Sequence, residues 1–354
     1  MNEINDDVFA AQLYEVDSYD AVQELCHSSR WTDGLPIIPP TPDLVRKFLA
    51  EVLVPSNHLV GVEPVRERAV TAEQLAINAV MAGCVARHFP IVVAAFTAML
   101  QDKFVLHGAT SSTGGCAIFI VINGPAVQFL GIDPTFNVLG SSDRATTCIG
   151  RAIRLSLQNI LDVRPGEADR STLGHPGKIS FCMGEDEGDT SWLSLAQDRG
   201  IPSNTSAITV FAAGSPRQIM NEWTTNPEEI LDTYISEIKA SMLNYSIHAG
   251  DWAIVIPPQL RAHFEHAGWD KRQIREYVKT KAWVMRKDWA SCGKRAVIAN
   301  QGERKYFALE NSGDLLVIAA GGPAGGFGAV IPPWFGKTSR ATTMAIGACV
   351  DCGI

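Results

Sequence analysis

Ala117-Ile-Phe-Ile-Val-Ile-Asn123 is an apolar, β-branched run with almost no interruption. A strand with one wet face alternates apolar and polar residues, whereas a continuous run marks a strand covered on both faces. Downstream, residues 145–161 carry Ile149, Ile153, Leu157 and Ile160 at helical spacing. Runs at 178–183 and 207–213 then predict two more strands. Strands alternating with helices imply an α/β fold with a mixed, largely buried sheet flanked by helices, open to division into two intertwined subdomains.

Upstream, Thr71-Ala-Glu-Gln74 matches a capping box and predicts a helix to about Gly83. Residues 90–101 form a second helix, apolar nearly all round. Residues 60–70 read as one or two strands. Thr41-Pro-Asp43 opens a helix with a hydroxyl cap and proline in its first turn. Before it, Trp31-Thr-Asp-Gly-Leu-Pro-Ile-Ile-Pro-Pro40 is an extended arm, because proline withholds ladder donors. The division is therefore an arm over 1–60 and a body over 61–354, with a weak boundary signal near 165–205. Towards the C-terminus the pattern predicts a long helical region from Ser215-Pro to Leu243 and a strand over 252–256. A helix–turn–helix over 258–281 and a strand over 314–320 follow. No internal repeat is visible.

The chain has 354 residues and a net charge of −8, which excludes a general nucleic-acid binder. Its one dense basic region, residues 271–287, reads as a solvated helix face. The acidic N-terminus lacks the features of a secretory signal, and the apolar run 89–100 is too short to span a bilayer. A cytoplasmic protein without a membrane partner is expected. Charged residues are only 19%, which points to surface covered by subunit contacts and hence a homo-oligomer. The 8 cysteines are scattered, as reduced thiols are.

Three glycine- and hydroxyl-rich breaks carry the chemistry. They are His107-Gly-Ala-Thr-Ser-Ser-Thr-Gly-Gly-Cys116, Gly140-Ser-Ser-Asp-Arg-Ala-Thr-Thr-Cys148 and Ser171-Thr-Leu-Gly-His-Pro-Gly-Lys178. In the first, Thr110, Ser111, Ser112, Gly114 and Gly115 offer donors to a ligand, with Cys116 directly behind. The second opens a helix, where free N–H groups with Ser141, Ser142, Arg144 and Thr146 would hold an anion and lower the Cys148 thiol pKa. The third presents His175 as acid or base, beside Lys178. All three breaks should converge at one end of the sheet.

Beyond them, Glu185-Asp-Glu187-Gly-Asp189 follows a strand and offers oxygens to a divalent metal or a base at Glu185. Gly321-Gly-Pro-Ala-Gly-Gly-Phe-Gly328 fits no nucleotide fingerprint, but Gly322, Gly325 and Gly326 could line a pocket. Cys349 and Cys352 form a C-x-x-C pair suited to redox or soft-metal chemistry.

The phrases Trp31-Thr-Asp-Gly-Leu-Pro, Ile149-Gly-Arg-Ala, Leu173-Gly-His-Pro-Gly-Lys and Gly268-Trp-Asp-Lys resemble those of an uncharacterised bacterial family. The resemblance covers most of the chain and implies no activity. The terminal Cys pair is not among that family's features.

The leading expectation is an enzyme, a lyase or hydrolase, that cleaves a small anionic organic molecule. Cys148 or Cys116 would be the nucleophile, and His175 or His107 would move protons. No cofactor is required by that reading. An alternative is metal-dependent cleavage with His107, His175, Glu185 and Glu187 as ligands. Another is a non-catalytic thiol redox or binding protein built on Cys349 and Cys352.

Overall fold

The computed structural model describes residues 9–140, 143–188, 190–295 and 302–347. In chain order, α1 (Tyr19–Ser28) and α2 (Pro42–Val52) precede the hairpin β1 (Leu59–Glu63) and β2 (Arg68–Thr71). Then come α3 (Ala72–Met81), α4 (Phe89–Met99), α5 (Leu106–Ser111), β3 (Ala117–Asn123), α6 (Ala126–Phe129) and α7 (Arg144–Ile160). The middle holds β4 (Cys182–Gly184), α8 (Leu195–Asp198), β5 (Ala207–Ala213), β6 (Arg217–Met220) and α9 (Pro227–Tyr245). The last part holds β7 (Trp252–Ile256), α10 (Pro258–His266), α11 (Lys271–Lys281), β8 (Trp283–Met285), β9 (Lys305–Phe307), β10 (Leu315–Ala319), β11 (Phe327–Ile331) and β12 (Thr342–Ala345).

The expected α/β class is present, with its buried strands divided between two four-stranded sheets ordered β12-β5-β3-β4 and β10-β7-β11-β6. Alternation along β3 explains the layering. Ile118, Ile120 and Ile122 pack into the cluster that holds Leu75, Ile91, Phe96 and Ile149 from α3, α4 and α7. Phe119 and Val121 point the other way, into a layer shared with Val255, Leu316, Ile318 and Ile331 of the second sheet. On that sheet's far side Ile254 and Ile256 meet Ile230, Tyr234, Phe264 and Ile274 of α9–α11. The molecule is thus helix, sheet, sheet, helix, which is why β3 is apolar throughout.

The two sheets repeat one topology. In the first, β3 and β4 are parallel neighbours and β5 runs antiparallel to β3. In the second, β7 and β10 are parallel neighbours and β11 runs antiparallel to β7. Each unit then gives its next strand away: β6, after β5, pairs with β11, and β12, after β11, pairs with β5. The repeat is invisible in residue identities and appears only in strand pairing.

Several local signals hold. Thr71 makes the expected capping box with Gln74, and Thr41 caps α2. Other expectations change. The helical region after Ser215-Pro begins with strand β6, an edge strand too short to show a period. Residues 106–111 are a helix, α5, rather than an open loop. The strand expected over 178–183 shortens to Cys182–Gly184, because a 3-10 turn occupies Pro176–Lys178. The basic face of α11 is solvated except at Lys271, which is 3% exposed, and at Arg275, which pairs with Asp198 and donates to the Leu315 carbonyl.

Candidate active site at the amino rim of the first sheet

β3 divides the sequence-derived candidates between two rims. The amide N of Asp186 donates to the Ala319 carbonyl at 2.7 Å and that of Glu185 to Ile122 at 3.1 Å, so β3, β4 and β10 end at a common carboxyl rim. Cys116 precedes β3 at the opposite, amino rim. The two rims lie about 20 Å apart, taking seven residues at the usual rise of a strand.

At the amino rim the first and third breaks interlock. Thr172 N donates to Thr113 O at 3.0 Å, and the Ser171 hydroxyl lies 3.4 and 3.3 Å from the carbonyls of Ser112 and Gly114. A Cβ on Gly115 would sit 2.9 Å from Gly174 Cα, so only glycine allows this approach. The hydroxyls expected to face a ligand are turned inward. Thr110 and Ser111 donate to the carbonyls of Leu106 and His107 at 2.8 and 2.6 Å, and Ser112 Oγ accepts from Gly114 N at 3.0 Å.

The second break lies elsewhere. Cys148 faces Gly83, beside Cys84 and the Arg144 guanidinium, which also donates to the Gly83 carbonyl at 3.0 Å. The cavity beside Cys116 is reached by α7 only at Arg154 and Leu157. Arg154 and Leu157 are six and nine residues past Cys148, about 9 and about 14 Å along the helix axis. One long crossover helix therefore keeps the three breaks from converging.

Nor is the α7 N-terminus open to an anion. Asp143 caps it, its carboxylate accepting from Thr146 N at 2.7 Å and from Asp133 N at 3.1 Å. A carboxylate of the chain itself already sits at the positive end of the dipole and takes the Thr146 N–H. Ser141 and Ser142 lie outside the described residues, as do Asp189 and the pair Cys349 and Cys352.

Around the amino-rim cavity, Thr110, Cys116, Arg154, Asp169, Gly177 and Lys178 enclose about 30 Å³, room for a water or two. Lys178 Nζ bonds Asp169 at 2.6 Å and Ser171 Oγ at 2.9 Å, while Arg154 reaches the same carboxylate at 3.5 Å. Two cations thus face one carboxylate. Burial would raise Asp169, but the hydrogen bonds from Lys178 and Ser171 and the Lys178 charge outweigh it and hold the carboxyl below its ordinary value. Trp334 closes the outside of the loop, 3.0 Å from where a Cβ on Gly108 would lie.

His175 is held at this rim by its own turn. Its Nδ1 accepts from Gly177 N at 3.2 Å, which leaves the ring proton of the neutral imidazole on Nε2. Nε2 is buried and makes no well-formed hydrogen bond, with the Ala213 carbonyl as the acceptor beside it. Burial lowers the His175 pKa, opposed by the Ala213 carbonyl beside the ring and assisted by Lys178 and Arg217, so the imidazole is neutral at pH 7. Cys116 lies against the same Ala213 peptide, and burial pushes its thiol up to about 12 despite Lys178. Burial also raises Cys148.

The other candidates are accounted for by contacts within the fold. Glu185, 1% exposed, accepts from Lys271 Nζ at 2.6 Å, Leu195 N at 2.6 Å, Asn123 Nδ2 at 2.7 Å and Ala319 N at 3.1 Å. Its oxygens are spent holding the two sheets together. Glu187 accepts from Asn123 Nδ2 and Gly124 N at 2.8 and 2.7 Å. The proposed ligand set is thus split, with His107 and His175 at the amino rim and Glu185 and Glu187 at the carboxyl rim. Among the described residues, no three His, Cys, Asp or Glu side chains are grouped as a metal ion requires. In the glycine loop, Gly325 and Gly326 donate to Gln259 Oε1 and Glu222 Oε1 at 2.8 and 2.9 Å, and Gly322 lies under the Phe136 ring.

Arg154, Asp169 and Trp334 were not singled out from the sequence. Asp169 sits in a polar stretch that resembles a domain boundary, and only the pairing with Lys178 reveals its place. A cavity of about 820 Å³ lies instead under the N-terminal arm, between Leu13, Tyr14, Trp31, Val45, Ile77 and Met81. It is roomy and apolar, but the reactive groups are elsewhere.

No known family matches this chain, and no curated protein does. Among the described residues, no single helix is long and apolar enough to cross a membrane.

Proposed function

We propose that this protein is an enzyme that cleaves a small organic anion at the amino rim, with Lys178 and Arg154 holding the anion and His175 polarising it. The observation that carries this reading is a concentration of donors: two cations share one carboxylate beside a buried His175 Nε2–H that has only the Ala213 carbonyl beside it. An anionic oxygen would give this donor a stronger, charge-assisted partner. A neutral imidazole can act as an electrophile on a developing oxyanion without first losing a proton.

The two pKa directions decide between Cys116 and His175 as the acting group. Moving the Cys116 proton onto His175 in the resting site is steeply uphill, because burial pushes the thiol up to about 12 and holds the imidazole below its ordinary value. Donation from Nε2–H needs no such transfer. Cys116 then serves as a protonated wall of the site, and the loops 112–116 and 171–178 must part to admit anything larger than water.

The test is a thermal-shift and calorimetric screen of the full chain against small carboxylates and phosphate esters, with NMR detection of turnover. A bound anion should lose at least tenfold in affinity in Lys178→Ala and His175→Ala, while His175→Gln, which keeps an N–H, should recover part of it. Equal binding in Lys178→Ala would sink the anion site. A bound anion that is never turned over would sink the enzyme.

A further inference from the structure

A second cluster lies away from the amino rim, where β6 ends and α10 begins. Asn221, Glu222, Trp223, Thr224, Thr225, Gln259 and His263 surround a cleft of about 360 Å³. It opens beside the carboxyl end of β7, next to the loop that follows β10, and α/β sheets place ligands in such crevices.

Hydrogen-bond accounting shows which groups are committed. Gln259 Oε1 accepts from Gly325 N at 2.8 Å, which fixes the amide orientation and leaves its NH₂ as a donor. Glu222 spends Oε1 on Gly326 N at 2.9 Å and keeps Oε2. His263 stands one turn beyond Gln259 on the same face of α10. Trp223 is 78% exposed at the rim of the cleft, an unusual position for so large an apolar surface. The cleft thus combines a flat aromatic face, a carboxylate acceptor, an amide donor and an imidazole.

The geometry points to this cleft as a binding site for a neutral polyhydroxylated ring, a monosaccharide or cyclic polyol. Such a molecule has a C–H face to lie on the indole and vicinal hydroxyls that both donate and accept. Glu222 Oε2 takes one hydroxyl proton, and Gln259 and His263 serve the neighbouring oxygens. A quaternary ammonium ion would use the indole and the carboxylate, but it would leave the amide donor without an acceptor.

Saturation-transfer NMR and calorimetry on the full chain test this, with glucose, galactose, mannose and myo-inositol as probes and choline as the contrast. At least one polyol should bind saturably. Trp223→Ala and Gln259→Glu should each weaken it tenfold or more, and Trp223→Phe should keep most of the affinity. Melting temperatures should stay at wild-type values, because Trp223 is on the surface. Absence of saturable polyol binding, unchanged affinity in Trp223→Ala, or binding of choline alone would overturn the proposal. Lys178→Ala should leave polyol binding unaltered, which separates this site from the amino rim.

Discussion

Asp169 sets the charge balance of the amino rim. It is 4% exposed and holds Lys178 and Arg154 in place. Because its folded pKa lies below the unfolded value, its stabilisation is complete above about pH 4 and is lost as pH falls through the folded value. Asp169→Asn should therefore flatten the acid limb of stability in that window. At pH 7 it should cost about 3 kcal/mol, since it strands two partly buried cations. Urea unfolding from pH 3 to 7 reads both effects, and an unchanged acid limb would remove Asp169 from this role. Residue types alone named Cys116, His175 and Lys178 as companions. They could not show that Asp169 neutralises part of the positive charge or that His175 carries its proton on Nε2, because both depend on contacts across a turn.

At the scale of elements, α7 governs the layout. Its apolar stripe is a local property legible in the chain, and Asp143 caps the helix. Gly150, in its second turn, has a tertiary reason. A Cβ there would lie 3.0 Å from Phe181 N and 3.1 Å from Ser180 Cα, both backbone atoms. Gly→Ala inside a helix ordinarily stabilises by about 1 kcal/mol. Here the sign should reverse, with Gly150→Ala destabilising by about 1–3 kcal/mol as α7 is pushed off β4. Thermal or urea denaturation gives the sign directly, and a gain in stability would contradict the close packing. Strands β6 and β12 show the opposite case. Four residues each, beside Pro and Gly, carry too little period to be read, and their partners alone make them strands.

At the scale of the molecule, each half completes the other's sheet, and Lys271 reaches from α11 to Glu185 beyond β4. Neither sheet can lose its borrowed edge strand without the other being disturbed. The chain should unfold in one transition, with indole fluorescence, which includes Trp252 and Trp289, and amide exchange of β3 giving the same midpoint. Lys271→Met should lower that midpoint by the equivalent of about 3–5 kcal/mol, because it leaves the Glu185 carboxylate buried and unpaired, and both probes should shift together. Two separated midpoints would count against a shared fold.

The sequence by itself determined the class of the fold, the helices with clear period and caps, the buried strands, and two of the three loops that meet around Cys116. These follow from periodicity, capping chemistry and backbone permissiveness, which act over a few residues. Only the tertiary structure decided that the strands form two sheets with exchanged edges, that Cys148 is kept apart from Cys116 by the length of α7, and that Glu185 is a structural anchor. Those outcomes depend on hydrogen bonds and burial between residues far apart in the chain, 138 positions between Ala207 and Ala345 and 134 between Glu185 and Ala319, where local pattern carries no information.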